Sequence, residues 1–600
     1  MKRFLSILIA SIILCIGYNN EVAAQYKTIS KEQYYDKTLA MLVGQCGGVV
    51  TGYEYVKVKN PDGSFKEPHE QWLGLPDEWF SILNGTLGGT TRDEYNYFSN
   101  YQFGMILSDD DQHVDFMNQV ILNTYGPAVA WQDIRHSWLY YDLRDFGGTS
   151  DALGLLKSKD LLAPQMGSPE HGNNGHWLPE SYIQHETMGG AFPGMPQQAS
   201  KITYKFSRMS GQGEPVEWGM YWAAATAIAY FETDIRDVIR KALDVVPGNS
   251  YVRTTYDICL NLHQKHPTDW RAAVREFWHN HERYVCYVGT EKVQLIANVN
   301  NANCILSCLY GQNNYMETLR IQSLSGGDAE CGASTLCGIL GVIHGMAGTP
   351  REFVDNIYVN GTGIWRNDMY HALHMHTNFP EDLRFDDLAR IIQENAEQSI
   401  LAFGGTITAQ NYNIAPESFI PQIISFDNWD FEKGNLSGWH IWNSPGSNNS
   451  AWAELQWFNQ SRKSTLAATG YYKATIVTSS KTAECKLYRT ITGLKPGATY
   501  KIEGRINTPL GREARMYADK YGGDYTFVSA QGTKMFPFRY LYVTLGETNT
   551  SMEVGFHAPP TSTNGSLWCS FDDLVITEVA TKPVVTYECE NTETKNIAIV

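Results

Sequence analysis

Two short acidic runs are the residues in this chain best suited to chemistry. Ser108-Asp109-Asp110-Asp111 leads into the helical spacing of Val114, Met117 and Val120. Gly326-Gly327-Asp328-Ala329-Glu330-Cys331 leads into a helix carrying Gly338, Gly341 and Gly345. Either run alone is an ordinary helix start, because Ser and Asp cap helix N-termini and the helix dipole welcomes carboxylates there. In the second run, however, two acids flank one residue after a glycine turn, which aims both at one point. Adjacent carboxylates repel unless a cation neutralises them. Oxygen-only ligands favour Mg²⁺, Mn²⁺ or Ca²⁺ over zinc. Asp109, Asp110, Asp111, Asp328 and Glu330 are therefore the expected ligands of a hard-metal centre. His371, His374 and His376 have a spacing that suits zinc, but no nearby Cys or acid completes a four-ligand set, so they read as surface or hydrogen-bonded histidines.

The elements that must position these runs are mainly helical. Leu39, Met41, Leu42 and Cys46 fall on one side of an opening helix, and Tyr221 to Tyr230 is a helix rich in Ala. Leu388, Ile391, Ile392 and Ala396 repeat the i, i+3, i+4 pattern. After Pro421 the pattern turns to alternation, as in Tyr500-Lys-Ile-Glu-Gly-Arg-Ile and Tyr540-Leu-Tyr-Val-Thr-Leu, with Gly, Pro, Asn and Ser turns between. Short alternating runs of this kind predict an antiparallel β-sandwich. The expected organisation is a leader over 1–24, an all-α domain over 25–405, a linker over 406–421, a β-sandwich over 422–580 and a tail over 581–600.

The ordered set of motifs over residues 33–405 resembles the ADP-ribosylglycohydrolase family. Asp109-Asp110-Asp111-Gln112, or Ser108 to Asp111 in the neighbouring register, looks like its early Thr-Asp-Asp-Thr motif. Asp328-Ala329-Glu330-Cys331 looks like its late Asp-x-Asp motif. Gly194-Met-Pro-Gln-Gln-Ala199, the Ala-rich helix and the glycines Gly44, Gly48 and Gly52 are similar to further family segments. The resemblance implies a two-Mg²⁺ centre and cleavage at ribose C1″. There are departures. Val49 follows Gly48 where the family has Asp, Glu330 replaces an Asp, and Gln112 stands at a Thr position; a non-catalytic copy would carry the same changes. Glu54, Asp110 and Glu186 are the catalytic candidates, Glu186 matching an acidic position in distant relatives. Asn173, Asn174, Glu180 and His185 are candidates for touching substrate, although the Asn pair also suits a plain turn.

The β-region resembles a jelly-roll carbohydrate-binding module. Asn428-Trp-Asp430-Phe431-Glu432 with Gly438-Trp439 looks like its first strand, Thr492 to Tyr500 like its central turn and strand, and Ser570-Phe-Asp572 like its last strand. The resemblance implies a structural Ca²⁺ at Glu432 and Asp572. Trp442, Trp452, Trp457 and Tyr472 are candidates for stacking on sugars, or for core packing. A spacer role is the other reading of this domain.

Composition narrows the partners. With 47 Lys and Arg against 64 Asp and Glu, the net charge of −17 disfavours nucleic acid and anionic membranes. The 16 Trp and 35 Tyr suit sugar-stacking surfaces. Lys2-Arg3, an apolar run to Gly17 and Val22-Ala23-Ala24 read as a signal peptide cut before Gln25, placing the protein in the periplasm or beyond. The apolar run is too short to span a bilayer, and no later stretch reads as a span. Cysteines without a CxxC pair read as small buried residues rather than a disulfide scaffold. The expectation is an exported, metal-dependent hydrolase cleaving a glycosidic bond in a glycan, a furanosidic bond included. The alternatives are ADP-ribosyl hydrolysis outside the cytoplasm and a non-catalytic glycan-binding protein.

Overall fold

The computed structural model describes chiefly residues 26–52, 105–141, 147–280, 297–366, 382–417, 424–455, 472–531, 538–561 and 567–579, isolated positions excepted. Nine helices matter to the site: α1 (Lys31–Gly52), α2 (Asp110–Tyr125), α3 (Gly147–Ser158), α4 (Pro196–Ser207), α5 (Glu214–Ala229), α6 (Trp270–Asn280), α7 (Ala297–Gly311), α8 (Ala329–Gly348) and α9 (Phe385–Ala402). The sequence pattern predicts a one-sided α1. Instead every residue from Lys37 to Gly52 is buried. The reason is a glycine stripe that brings α8 into backbone contact. A Cβ on Gly44, Gly48 or Gly52 would sit 2.3, 2.3 and 2.5 Å from the carbonyl oxygens of Cys337, Ala333 and Ala329, and one on Gly341 would sit 2.3 Å from that of Ala40. No side chain larger than hydrogen fits between the two helices at these points.

α8 is long and apolar enough to cross a membrane by length and composition, yet most of it is buried in this core. It kinks at Gly345, whose φ of 67° leaves the helical region. Carbonyl groups released there find a new donor, because Lys37 Nζ donates to Val342 O at 2.5 Å and to Ile343 O at 3.3 Å. Burial pushes that ammonium down to about 8.

A second core layer is polar on purpose. The α7 sequence Ala-Asn-Val-Asn-Asn-Ala-Asn places four buried asparagines in two turns. Asn298 and Asn301 accept from the indole N–H groups of Trp218 and Trp222 on α5, at 2.8 and 2.5 Å, and Asn303 accepts from Trp278 on α6 at 3.1 Å. These three buried indole donors are thereby satisfied, which is the condition for burying Trp without penalty.

The helical region is not purely α. Strand β1 (Lys27–Ser30) pairs with β3 (Asn411–Ile414), which also pairs with β2 (Thr406–Ile407). The expected linker therefore belongs largely to the first domain. Glu417 follows and accepts from the backbone N–H groups of Gln197 and Gln198 at 3.0 and 2.9 Å, capping α4. The eight described cysteines are all buried and free, as the sequence reading expected.

The C-terminal domain is a sandwich of two antiparallel sheets. Its strands are β4 (His440–Asn443), β5 (Ser450–Leu455), β6 (Tyr472–Val477), β7 (Cys485–Thr492), β8 (Thr499–Asn507), β9 (Glu513–Asp519), β10 (Thr526–Gln531), β11 (Phe538–Thr544), β12 (Ser551–Ala558) and β13 (Trp568–Val579). One sheet runs β5-β6-β13-β8-β11 and the other β10-β9-β12-β7-β4. Alternate residues such as Tyr500, Ile502, Met516, Phe556 and Phe571 fill the core between them. The segment expected as a first strand runs as turns, with Phe431 and Trp439 stacked into that core at 4.9 Å.

The sheet containing β8 turns its outer face to the helices. Arg505 Nη2 lies 4.0 Å from Glu214 Oε2 at the start of α5. Tyr204 of α4 is within electrostatic reach of Lys501, which pairs with Glu503 at 2.6 Å. Tyr251 packs edge-on against Trp429 at 5.5 Å. Burial, with Arg505 and Arg208 adding positive charge, pushes the His176 imidazole down to about 3.

Candidate functional site

The late acidic run opens α8. Gly326 and Gly327, at φ 75° and 72°, make the turn that only glycine takes freely. Asp328 holds the N-cap position, but its side chain makes no cap hydrogen bond. The capping explanation for this run therefore fails. Its backbone N–H is instead taken by Asn300 Oδ1 at 3.2 Å. Asp328, Glu330 and Cys331 offer ligand atoms that all lie within 4.8 Å of one another. Two carboxylates so close fit one hard cation. The thiol is a soft ligand and a poor match for Mg²⁺; Cys331 Sγ lies 3.7 Å from Glu330 Oε1, as a donor to it. Burial first, then the charge of Asp328, holds the Tyr182 phenol well above its ordinary value, so it stands beside the acids as a protonated donor.

Glu186 and Thr187 strap this helix start to the other acidic helix. Thr335, on the second turn of α8, donates its hydroxyl to Glu186 Oε1, and Glu186 is buried. The next residue, Thr187, donates from Oγ1 to Asp115 Oδ1 at 2.5 Å and from its backbone N–H to Oδ2 at 3.2 Å. Gln45 on α1 donates to the same carboxylate at 3.2 Å. Burial, offset in part by these donors, pushes the Asp115 carboxyl up to about 7. Gln119, one turn further along α2, donates to Thr187 Oγ1 at 3.0 Å and accepts from Asn395 of α9 at 2.8 Å. Four helices thus fix one two-residue strap.

Asp110 and Asp111 form the first turn of α2, four to five residues before Asp115. Their side chains, and Asp109, Glu54, His185, Trp457, Glu432, His371, His374 and His376, lie outside the described residues. Gln112 is buried in the same first turn. The end of α1 at Gly52 abuts Ala329 and Glu330.

Two substrate candidates are corrected by their contacts. Asn173 is fully buried: its amide donates to Met166 O and Ser210 O, both at 2.8 Å, and its Oδ1 accepts from Gly175 N at 2.9 Å. It is a loop anchor, with no exposed amide for a sugar. Glu180 accepts from Gly148 N at 2.9 Å and so caps the start of α3. Asn174 is exposed at the loop tip.

In the sandwich, Trp442 and Trp452 are 40% and 41% exposed. They stand on opposite faces, because Trp442 pairs with the outward Lys486 of one sheet and Trp452 with the outward Thr475 of the other. One sugar site cannot use both. Tyr472 packs beside the core with its ring against Gly434, and so does not stand clear as a stacking platform. Asp572 is buried on the face turned to the helices, with Arg505 as its cross-strand neighbour.

Sequence reasoning missed Asp115, Thr187, Thr335, Asn300 and Gln45. A signal existed for two of them: Asp115 recurs one helical turn after Asp111, and Asn300 belongs to an asparagine run too polar for an otherwise buried helix.

The fold and this geometry define a helical domain, with an acidic site at helix starts, joined to an antiparallel sandwich. The model of the ADP-ribosylglycohydrolase family matches residues 30–381, and the chain belongs to that family. An ADP-ribosylglycohydrolase-related protein complex is similar at 13% identity and TM-score 0.35, covering 61% of this chain and 99% of that one. The module TmCBM61, in complex with β-1,4-galactotriose, is similar at 15% identity and TM-score 0.21, covering 26% of this chain and 99% of that one. The enzymatically active domain of the bacteriophage CBA120 tailspike protein 4 is 13% identical over 26% of this chain with TM-score 0.22, and the chain spans only 22% of its length. Among curated proteins none matches.

Proposed function

We propose that this protein is an exported, Mg²⁺-dependent glycoside hydrolase that cleaves a glycosidic bond in a glycan, furanosidic bonds included. The observation that carries the reading is the Glu186–Thr187 strap. It joins the helix that presents Asp328 and Glu330 to the helix that opens on Asp110 and Asp111. Asp328 and Glu330 would hold a metal together with the early aspartates, and such an ion supplies Lewis-acid polarisation of a sugar hydroxyl and of water.

The remaining chemistry belongs to the chain. Hydrolysis breaks the bond from the anomeric carbon to the leaving atom, adds water oxygen to that carbon and passes a proton to the leaving group. A carboxylate beside the anomeric centre accepts the water proton or stabilises the oxocarbenium-like charge. Glu186 would take that role, with Thr335 orienting one oxygen and Thr187 anchoring the backbone. Tyr182, held protonated, is a donor at the edge of the same cluster. Leader, sandwich and aromatic content support a glycan outside the cytoplasm rather than an ADP-ribosylated protein.

The test is sugar release from a glycan panel that includes ADP-ribosyl-arginine and ADP-ribosyl-serine peptides, with and without Mg²⁺. Asp328→Asn should lower turnover by orders of magnitude and weaken Mn²⁺ binding. Glu330→Asp should do the same more mildly, because the shorter arm withdraws from the ion. Release only from the ADP-ribosyl peptides would transfer the activity to that substrate, and unchanged turnover in both variants would move catalysis elsewhere in the chain.

A further inference from the structure

With one sandwich face turned to the helices, the other sheet presents its outward residues in two cross-strand rows. The first is His440, Tyr488, Gly555, Tyr517 and Phe527; the second is Trp442, Lys486, His557, Arg515 and Ser529. Gly555 sits between two tyrosines, and a Cβ there would meet Leu487 O at 2.2 Å. A glycine inside a strand marks a close approach, and here it is the backbone of Leu487 and Tyr488 that takes the space.

Two acids on this face have cationic partners among the described residues. Glu513 pairs with Arg515 at 2.6 Å and Glu553 with Lys520 at 2.6 Å, while Glu484 lies 2.7 Å from His557, an imidazole that burial first and then the nearby cations push down to about 3 and so keep neutral. Lys486 differs: among the described residues no carboxylate pairs with it. Its ammonium lies 4.8, 5.0 and 5.8 Å from the ring centres of Tyr525, Tyr517 and Trp442. Aromatic faces hold a cation in place without neutralising it. The half-exposed indole of Trp442, directly across from Lys486, offers the flat surface on which sugar C–H groups stack.

We infer that this sheet face binds a glycan carrying an anionic group, with Trp442 stacking on a ring and Lys486 receiving the anion. The inference rests on the sugar-binding reading above and adds the site and the charge of its ligand. An ammonium within hydrogen-bond reach of a carboxylate or sulfate makes a charge-assisted contact, stronger than a neutral one. A matched acid on the protein would cancel it, and among the described residues none pairs with this ammonium.

The test uses the full-length protein in affinity electrophoresis through polygalacturonate, dextran sulfate, neutral galactan and polyglutamate. Retention by polygalacturonate or dextran sulfate is expected, the two arms telling a carboxylate from a sulfate. Lys486→Gln and Trp442→Ala should each weaken it about tenfold or more, while Lys486→Arg retains it. Lys201→Gln, which removes the same charge from the helical domain, should leave it unchanged. Retention by galactan that Lys486→Gln does not alter would overturn the anionic site while leaving sugar binding intact. Equal retention by polyglutamate would reduce the effect to bare charge attraction and overturn the glycan. Retention by none of the four would sink both readings.

Discussion

Gly48→Ala should destabilise the helical domain, although alanine is the better helix former. The intrinsic preference favours Ala over Gly by roughly 0.5–1 kcal/mol in a helix interior. Against it stands the carbonyl of Ala333, 2.3 Å from the added Cβ, with the Ala333 carbonyl carbon at 2.6 Å. Ordinary contact begins near 3.4 Å, so α1 and α8 would have to part by about 1 Å. Both obstacles are backbone and cannot rotate away. Overpacking of this kind costs about 1–3 kcal/mol, which outweighs the helical gain. Gly154 in α3 is the matched control, because its added Cβ meets nothing within 4 Å. Gly154→Ala should therefore stabilise by up to ~1 kcal/mol. Urea unfolding followed by Trp fluorescence would read both variants, and Mn²⁺ affinity would report on the parting of the helices, since Asp328 and Glu330 sit at the start of α8. Equal stability gains in the two variants would refute the close-packed stripe.

Two further outcomes follow from single residues. An acid such as Asp115, held near pH 7 by burial against about 3.9 when unfolded, binds its proton more tightly in the folded state. Its contribution to stability is present below about pH 4 and lost as the pH rises towards about 7, at up to ~1.4 kcal/mol per pH unit. Asp115→Asn should flatten that slope, because the Gln45 amide can turn to accept from the new side chain, and identical slopes in both proteins would remove Asp115 as the cause. Asn173→Ala should cost about 1–3 kcal/mol through the carbonyls it leaves buried, with KM unchanged on any substrate found; a raised KM at unchanged stability would restore it as a substrate contact.

The sequence by itself determined much about this protein. Period 3.6 giving way to period 2 near residue 410 separated helices from sandwich, since one face of a helix and one face of a strand bury by different spacings. The acids at two helix starts and the glycines four apart were legible because capping, metal binding and close helix packing each demand particular residue types. Glu186, singled out beside Gly189-Gly190, stands between the acidic helices. Other properties were decided only by tertiary structure. That α1 is buried all round from Lys37, that Asn173 ties its loop to Ser210 and that Glu180 caps α3 depend on neighbours more than twenty residues away in the chain. Strand alternation says which residues share a face but not what covers it. The opposite faces of Trp442 and Trp452, and the Lys486 charge left without an acid, depend on which strands pair and on which sheet meets the helices. Those are long-range choices, set by the packing of complete elements rather than by any local run of residues.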